Sequence, residues 1–255
     1  MQAFEAVAAV YFGGLGFAGL FSRAGARRRA GVFAAAVVMT AAIAVVAWYG
    51  TETLRAWSPN LYLVAGYWLP GLLAGDVRHP TRFETWLQRT ENFLRPRSRQ
   101  PPRGIVHLIE LAYLFCYPLV PLAFAVVWIA GGPADVRRFW LAVLPAGYVC
   151  YVSLPWLVSR PPRLVREHTA RAIARLNVFV LGRVSHQLNT FPSGHVAVSL
   201  AAAAGVAQVS AVAGALVLLT ALAIALGAVA GRYHYMVDVL LGVLVAGAAA
   251  ALAFI

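Results

Sequence analysis

The sequence contains no lysine and few charged residues of either sign. Charged residues make up 12% of the 255 positions, about half the fraction of a typical soluble domain. Hydrophobic residues make up 61%, and the mean hydropathy is +0.74. One core of this size cannot bury so many apolar residues. The composition therefore excludes an ordinary soluble protein and predicts an integral membrane protein with lipid-facing helices.

Cysteine is also scarce. Cys116 and Cys150 are the two in the chain, each inside an apolar run. Their spacing is not that of a metal site, which favours buried structural thiols. All 21 basic residues are arginine, and the net charge is +12. Alongside long apolar segments, this charge favours membrane lipids and a lipid phosphate substrate as partners, and not nucleic acid.

Apolar runs of membrane-helix character repeat along the chain. They cover 1–21, 31–50, 61–75, 105–130, 139–158, 195–209, 211–230 and 236–255. They predict an all-α, polytopic membrane helix bundle with about seven or eight apolar helices. The turn from Arg23 to Arg29 is predicted to be cytoplasmic. Segment 61–75 is short and contains Pro70, so it either crosses the membrane or re-enters it.

Two polar segments, 76–103 and 160–190, interrupt the apolar pattern. Each is expected to hold an interfacial amphipathic helix, the first with its apolar side chains around Trp86 and the second over 164–177. These interruptions predict two parts. Residues 1–104 form a helical hairpin, a short apolar segment and an interfacial helix, and residues 105–255 form a catalytic membrane core.

The first chemical motif runs from Asn189 to His195 with the sequence NTFPSGH, directly before an apolar run. Ser193 is a good helix N-cap, and Gly194 allows a ligand to approach the backbone closely. The free N–H groups at such a helix start favour a phosphate. An ordinary helix cap followed by an interfacial histidine is the simpler interpretation of this motif alone.

The second motif, GRYHYMVD, contains His234 and ends at Asp238, four residues later. On a helix these two side chains share a face, so the carboxylate can orient the imidazole and leave its other nitrogen free to attack. A local pair that only anchors the helix explains the motif equally well. Two apolar helices separate the two motifs, and they return His234 to the membrane face on which His195 lies.

Pro192-Ser193-Gly194-His195 followed after two helices by His-x-x-x-Asp resembles the type 2 phosphatidic acid phosphatase superfamily. The resemblance covers 105–255 and implies a six-helix phosphatase-type core. These membrane enzymes work without metal or other cofactors through a phosphohistidine intermediate. The resemblance implies that His234 is the nucleophile, that Asp238 orients it and that His195 is the general acid. It also implies that Ser193 and Gly194 hold phosphate oxygens.

The arginines depart from the family pattern. Ala228 stands where the family's third motif has an arginine, and Arg232 lies closer to the nucleophile instead. The family's own first motif pairs a lysine with a downstream Arg-Pro. Here Arg160-Pro161 is present, but Ser153 replaces the lysine, and Arg163 offers a second charge. We expect Arg160, Arg163 and Arg232 to bind the substrate phosphate. The altered pattern resembles the branch of inositol phosphorylceramide and sphingomyelin synthases.

The expected function is hydrolysis of a lipid phosphate or diphosphate, and the nearest alternative is a lipid headgroup phosphotransferase that uses the same residues. A non-haem iron oxygenase would also use two histidines and a carboxylate, but the helix start and the arginines favour an anion. A non-enzymatic lipid binder is a third class, against which the three intact catalytic groups argue.

The resemblance implies a multi-pass protein of the cell (inner) membrane with its active site on the extracytoplasmic face. If 61–75 crosses the membrane, the site is cytoplasmic instead. The other histidines have no chemical partner in the sequence, which predicts interfacial or packing roles; they are His79, His107, His168 and His186. Glu110 lies in an apolar run, where it either pairs with an arginine or lines a polar cavity.

Overall fold

A computed structural model describes residues 1–74, 81–94, 103–165, 179, 182–183 and 185–255. Several predictions concern residues outside this description. They are the interfacial helix over 164–177 beyond its first two residues, His79, His168, and the side chains of His107 and Glu110.

Every regular element of the described residues is a helix, which confirms the all-α bundle. The helices are α1 (Ala3–Gly19), α2 (Ala26–Tyr49), α3 (Glu52–Trp57), α4 (Pro59–Leu73), α5 (Arg82–Leu94), α6 (Arg103–Leu114), α7 (Cys116–Ala130), α8 (Pro133–Tyr151), α9 (Pro162–Val165), α10 (Gly194–Val209), α11 (Ala211–Ala230) and α12 (Met236–Phe254). Among the described residues, α2, α11 and α12 are long and apolar enough to span a membrane, and α1, α7 and α10 are shorter apolar helices. The protein is a polytopic membrane helix bundle.

The predicted run 105–130 is two helices, because α6 ends at Leu114 and α7 begins at Cys116. Pro118 explains the break. It has no N–H to donate to the carbonyl of Leu114, and its ring would collide with that carbonyl in a continuous helix.

The helix expected over 139–158 is displaced toward the N-terminus. It begins at Pro133, a residue well suited to the first helical position, and ends at Tyr151. Arg137 and Arg138, which fall between the predicted apolar runs 105–130 and 139–158, therefore lie inside α8. The Asp135 carboxylate accepts a hydrogen bond from the Gly132 N–H at 2.8 Å and fixes this start.

Helix α10 lies at the centre of the bundle and packs against α7, α8, α11 and α12. Ala and Val side chains of α10 share one core cluster with Trp140 of α8 and with Phe4 and Phe12 of α1. The N-terminal hairpin is thus packed into the same core as the C-terminal helices, and the boundary near residue 104 stays a prediction.

Different residue contacts define the two ends of the bundle. At one end, here called the site end, Leu73 of α4 packs on Gly19 of α1, and the His186 ring fills the space beside Gly71. At the other end Arg55 forms an ion pair with Glu5, at 2.8 Å between Nε and Oε1. Helix α4 therefore runs from one end of the bundle to the other.

Candidate active site

The start of α10 is held by contacts that leave the Ser193 side chain without a partner. The Thr190 hydroxyl accepts a hydrogen bond from the Gly194 N–H at 3.0 Å. Ser193 occupies the N-cap position, but its side chain makes no capping bond. Its hydroxyl is buried and has no hydrogen-bond partner among the described residues. The predicted N-cap function thus falls to Thr190, and the Ser193 hydroxyl remains available for a ligand.

Two glycines set how closely the chain packs around this helix start. At Gly194 the space that a Cβ would occupy is filled by the ring of Tyr151, so packing against α8 requires glycine here. On α12, a Cβ at Gly242 would lie 2.8 Å from the carbonyl oxygen of Ser193. The Ser193 N–H in turn donates to the carbonyl oxygen of Asp238 at 2.9 Å. The α10 start and α12 are therefore in direct backbone contact.

His234 lies in the turn between α11 and α12. The carbonyl of Ala228 accepts hydrogen bonds from the N–H groups of Tyr233 and His234, at 2.9 and 3.0 Å. Arg232 takes up the left-handed conformation, with φ of 56°, and allows this reversal. The Ala228 side chain is buried in a core cluster with Tyr113. A small residue fits that position, which accounts for the missing family arginine there.

Asp238 is fully buried beside His234. Its Oδ2 atom lies 3.6 Å from His234 Nδ1, longer than a hydrogen bond. The same oxygen accepts from the Asn189 amide at 2.7 Å and from the Tyr235 N–H at 3.0 Å. Asn189 thus positions the carboxylate, a role that the sequence did not reveal because nothing in its spacing connects it with Asp238.

The two histidines meet face to edge. The His195 and His234 rings lie 5.9 Å apart between centroids, with an interplanar angle of 81°. Tyr113 and Tyr117 each lie 5.7 Å from the His195 ring. The Tyr117 hydroxyl is buried without a hydrogen-bond partner among the described residues. Sequence reasoning missed Tyr117, because a tyrosine in an apolar helix resembles an ordinary packing residue.

Arg160 is held by Glu84 of the interfacial helix α5. The fully buried Glu84 carboxylate accepts from the Arg160 N–H at 3.0 Å, from Nε at 3.2 Å and from Nη2 at 2.8 Å. This hydrogen bonding raises the pKa of Arg160. The Arg160 carbonyl accepts from the Tyr235 hydroxyl at 3.2 Å, which links the pair to the nucleophile turn. Arg160 was expected to bind phosphate, and in this structure its guanidinium is engaged with Glu84.

Arg163 acts electrostatically on His234, the predicted nucleophile. Its guanidinium lies over the Tyr233 ring at 4.7 Å from the centroid, and its Nη2 donates to Gln187 at 2.9 Å. Its N–H also donates to the Arg232 carbonyl at 3.0 Å. The Nε atom has no hydrogen-bond partner within the described chain. Burial lowers the pKa of Arg163, a cost that a bound anion would relieve.

Burial lowers the pKa of His234 to about 3, and the positive charge of Arg163 contributes to the shift. The imidazole is therefore neutral at physiological pH, the state in which a ring nitrogen can act as a nucleophile. The positive charge of Arg163, the smaller cause of this shift, would also attract a phosphate to the site.

Helix α5 contacts the site at a second place. Glu91 accepts a hydrogen bond from the N–H of Met236, the first residue of α12, at 2.7 Å. Phe83 and Trp86 pack edge-on against Phe191 in the loop before α10. A helix is thus present from Arg82 to Leu94 where an interfacial helix was predicted, and its contacts hold the loops that carry the two histidines.

Ser153 and His186 have structural contacts. The Ser153 hydroxyl, at the family's lysine position, donates to the Cys150 carbonyl at 2.7 Å and accepts from the Phe191 N–H at 3.2 Å. A ring nitrogen of His186 lies 3.0 Å from the carbonyl oxygen of Trp68. Ser153 therefore ties the motif loop to α8, and His186 ties the same loop to α4.

Comparison with known proteins places this arrangement in a family. No curated protein and no solved structure matches the chain. The family model described as the PAP2 superfamily matches residues 82–252, which include α5 as well as the region where the resemblance was expected. The match covers both histidine motifs and the Arg160 segment. The chain therefore belongs to the PAP2 superfamily, the type 2 phosphatidic acid phosphatases.

Proposed function

We propose that the protein is a metal-independent membrane lipid phosphatase that hydrolyses a lipid phosphate or diphosphate through a phosphohistidine intermediate. One observation carries the proposal. The buried His234 lies between Asp238 and the ring of His195, beside a helix start whose Ser193 hydroxyl has no hydrogen-bond partner among the described residues. Superfamily membership supports phosphatase-type chemistry.

In the first step, the Nε2 atom of His234 attacks phosphorus while the bond from phosphorus to the lipid oxygen breaks. Protonated His195 gives its proton to that oxygen, so the lipid leaves as an alcohol. The Asp238 carboxylate stabilises the proton on Nδ1 of His234 as positive charge develops on the ring. Closure of their 3.6 Å separation by about 0.7 Å would give a full hydrogen bond.

In the second step, water attacks the phosphohistidine. Neutral His195 takes the proton from water, the bond from phosphorus to nitrogen breaks, and inorganic phosphate leaves with His234 restored. No other proton carrier is required, since His195 serves as acid in the first step and base in the second.

The phosphoryl oxygens need donors that do not reorganise during the reaction. Arg163, the Ser193 hydroxyl and the N–H groups at the start of α10 meet this requirement. Tyr117 offers a further neutral donor next to His195. Arg160 acts in this proposal as a positioning residue, because Glu84 holds its guanidinium and its carbonyl holds Tyr235.

A lipid headgroup phosphotransferase is the second candidate. The observation that favours it is the replacement of the family's lysine by Ser153 and the engagement of Arg160 with Glu84, which change the charges that face the acceptor. The first step is the same, and a lipid alcohol replaces water in the second. A phospholipid with labelled phosphate, supplied with and without an alcohol acceptor, distinguishes the two by whether the label is released or moved to another lipid.

The phosphohistidine is tested with purified protein and a lipid with labelled phosphate. We expect an acid-labile, alkali-stable label on the wild type and none on His234→Ala. His195→Asn should slow turnover by about 10²–10⁴-fold, the usual contribution of a general acid. His186→Asn is the control: it removes a histidine that holds the motif loop to α4 but takes no part in the proposed chemistry, so the label should still form. Unchanged phosphate release by His234→Ala would disprove the assignment.

A further inference from the structure

The arginines whose side chains the structure describes are concentrated at the site end of the bundle. Ten belong to elements or turns at that end, namely Arg23, Arg27, Arg28, Arg29, Arg82, Arg89, Arg160, Arg163, Arg183 and Arg232. Three belong to the other end, namely Arg55, Arg137 and Arg138. Acidic residues with described side chains are equal in number at the two ends: Glu84, Glu91 and Asp238 against Glu5, Glu52 and Asp135. The site end is thus strongly positive, and the other end is balanced.

The turn between α1 and α2 belongs to the site end by its contacts. Leu73 of α4 packs on Gly19, the last residue of α1, and Gly71 lies against His186 in the loop that leads to the first motif. The Arg29 guanidinium donates to the Leu20 carbonyl at 2.8 Å and closes the turn. The basic turn and the two histidines are therefore at the same end of the bundle.

The arginines of the turn between α1 and α2 belong to neither histidine motif and have no assigned part in substrate binding. Arg23 and Arg27 are exposed on the hairpin turn, far in sequence from the two histidine motifs. Arginine-rich short connections near the ends of membrane helices are the feature that retains a loop in the cytoplasm. The opposite end, where Glu5 pairs with Arg55 and Asp135 caps α8, has no such excess.

The path of α4 decides between the two topologies that the sequence left open. It begins beside α3, whose Ala56 carbonyl accepts from the Trp140 indole at 2.8 Å at the other end. It finishes with Leu73 against Gly19 at the site end. A re-entrant segment would return to the end from which it started, and α4 does not.

We infer that the active site opens on the cytoplasmic face of the membrane, with the arginine-rich site end against the anionic headgroups of the cytoplasmic leaflet. This reverses the extracytoplasmic side implied by the family resemblance alone. The inference also deepens the proposed function, because the lipid phosphate is then taken from the cytoplasmic leaflet. This statement about the substrate rests on the proposed function.

The test uses two single cysteines in a background with Cys116→Ala and Cys150→Ala. Gly25→Cys lies in the basic turn, where nothing lies within 4 Å of an added Cβ. Ala134→Cys lies at the exposed start of α8 at the other end. Whole cells are treated with a membrane-impermeant maleimide, before and after permeabilisation. We expect Ala134→Cys to be labelled in intact cells and Gly25→Cys only after permeabilisation.

Labelling of Gly25→Cys in intact cells, or protection of Ala134→Cys, would overturn the inference. If the cysteine-free background folds poorly, the same two substitutions are made with the native cysteines present, since both are buried. Labelling does not require catalysis, so the pattern stands or falls separately from phosphate release. Release without the expected labelling refutes the sidedness alone, and labelling without release refutes the enzymatic proposal alone.

Discussion

The ion pair between Glu84 and Arg160 gives the most direct test of how the site is built. Substitution of Glu84 by Gln keeps the volume but removes the charge that holds the guanidinium. Truncation of one partner of a fully buried pair costs about 3–5 kcal/mol, and a surface pair contributes about 0–1 kcal/mol. The Glu84 side chain is 0% exposed and that of Arg160 is 25% exposed. An intermediate coupling of about 2 kcal/mol follows, equal to roughly 30-fold in the folded-to-unfolded ratio.

The assay is a double-mutant cycle with Glu84→Gln, Arg160→Gln and the double variant. The free energy of unfolding is measured by SDS titration in detergent micelles, and phosphate release is measured on the same samples. We expect the double variant to be no less stable than either single variant. If Arg160 positions the nucleophile turn through Glu84, the two single variants should lose turnover to a similar degree.

The chain offers a matched control for this cycle. Glu5 and Arg55 form an equivalent pair at the other end of the bundle, with side-chain exposures of 1% and 24%. Their cycle should give a similar coupling energy, but turnover should be unaffected. A coupling near zero for Glu84 and Arg160, together with a KM that rises for Arg160→Gln and not for Glu84→Gln, would refute the positioning role. Arg160 would then be a direct phosphate ligand.

Three further predictions concern single side chains around the histidines. Tyr117→Phe should reduce kcat by about tenfold with little change in stability, as expected for one lost donor to the reacting groups. Tyr148→Phe removes a hydroxyl that is likewise buried without a hydrogen-bond partner among the described residues, on a ring stacked against Tyr11 of α1, and should leave kcat unchanged. Gly242→Ala should lower the free energy of unfolding by about 1–3 kcal/mol and reduce turnover, because the added Cβ forces α12 away from the start of α10. Gly247 lies on the same helix, and a Cβ added there has nothing within 4 Å, so Gly247→Ala should not change the free energy of unfolding in detergent. Arg163→Gln should move the acidic limb of kcat/KM to higher pH, because loss of its positive charge removes one cause of the lowered pKa of His234, while burial, the larger cause, remains.

Each of these has a clear contrary outcome. Equal kcat values for Tyr117→Phe and the wild type would remove the tyrosine from the reacting site. A stable, active Gly242→Ala would mean that the close contact between the two helices is dispensable. An acidic limb that stays in place or moves to lower pH in Arg163→Gln would show that the arginine does not act on the nucleophile.

The sequence predicted the parts of the fold and site that are determined locally. Apolar runs mark membrane helices whatever their neighbours, and the four-residue spacing of His234 and Asp238 brings them together within one turn. The helix start at Ser193 was likewise predictable from Pro192 and the apolar run that follows. Pro118 was a local signal for the break between α6 and α7, but the continuous hydropathy of that stretch concealed it.

The contacts that complete the site join residues far apart in the chain. Glu84 precedes Arg160 by 76 positions, and Glu91 precedes Met236 by 145. Such pairs depend on where the interfacial helix docks on the bundle, and hydropathy carries no information on that. The same reason explains why Arg160 was expected to face the substrate, since its acidic partner could not be identified from spacing.

At the start of α10, stabilising the helix and binding the ligand fall to different hydroxyl residues. Thr190 caps the helix, and Ser193 is left for the ligand. A Thr190→Val variant loses the bond to the Gly194 N–H, so fewer molecules should reach the membrane folded. A Ser193→Ala variant keeps that bond and should accumulate normally but turn over slowly. In a selection for loss of activity, substitutions at the first position would therefore be rescued by lower growth temperature or higher expression. Those at the second would not, because every copy that folds carries the same chemical defect.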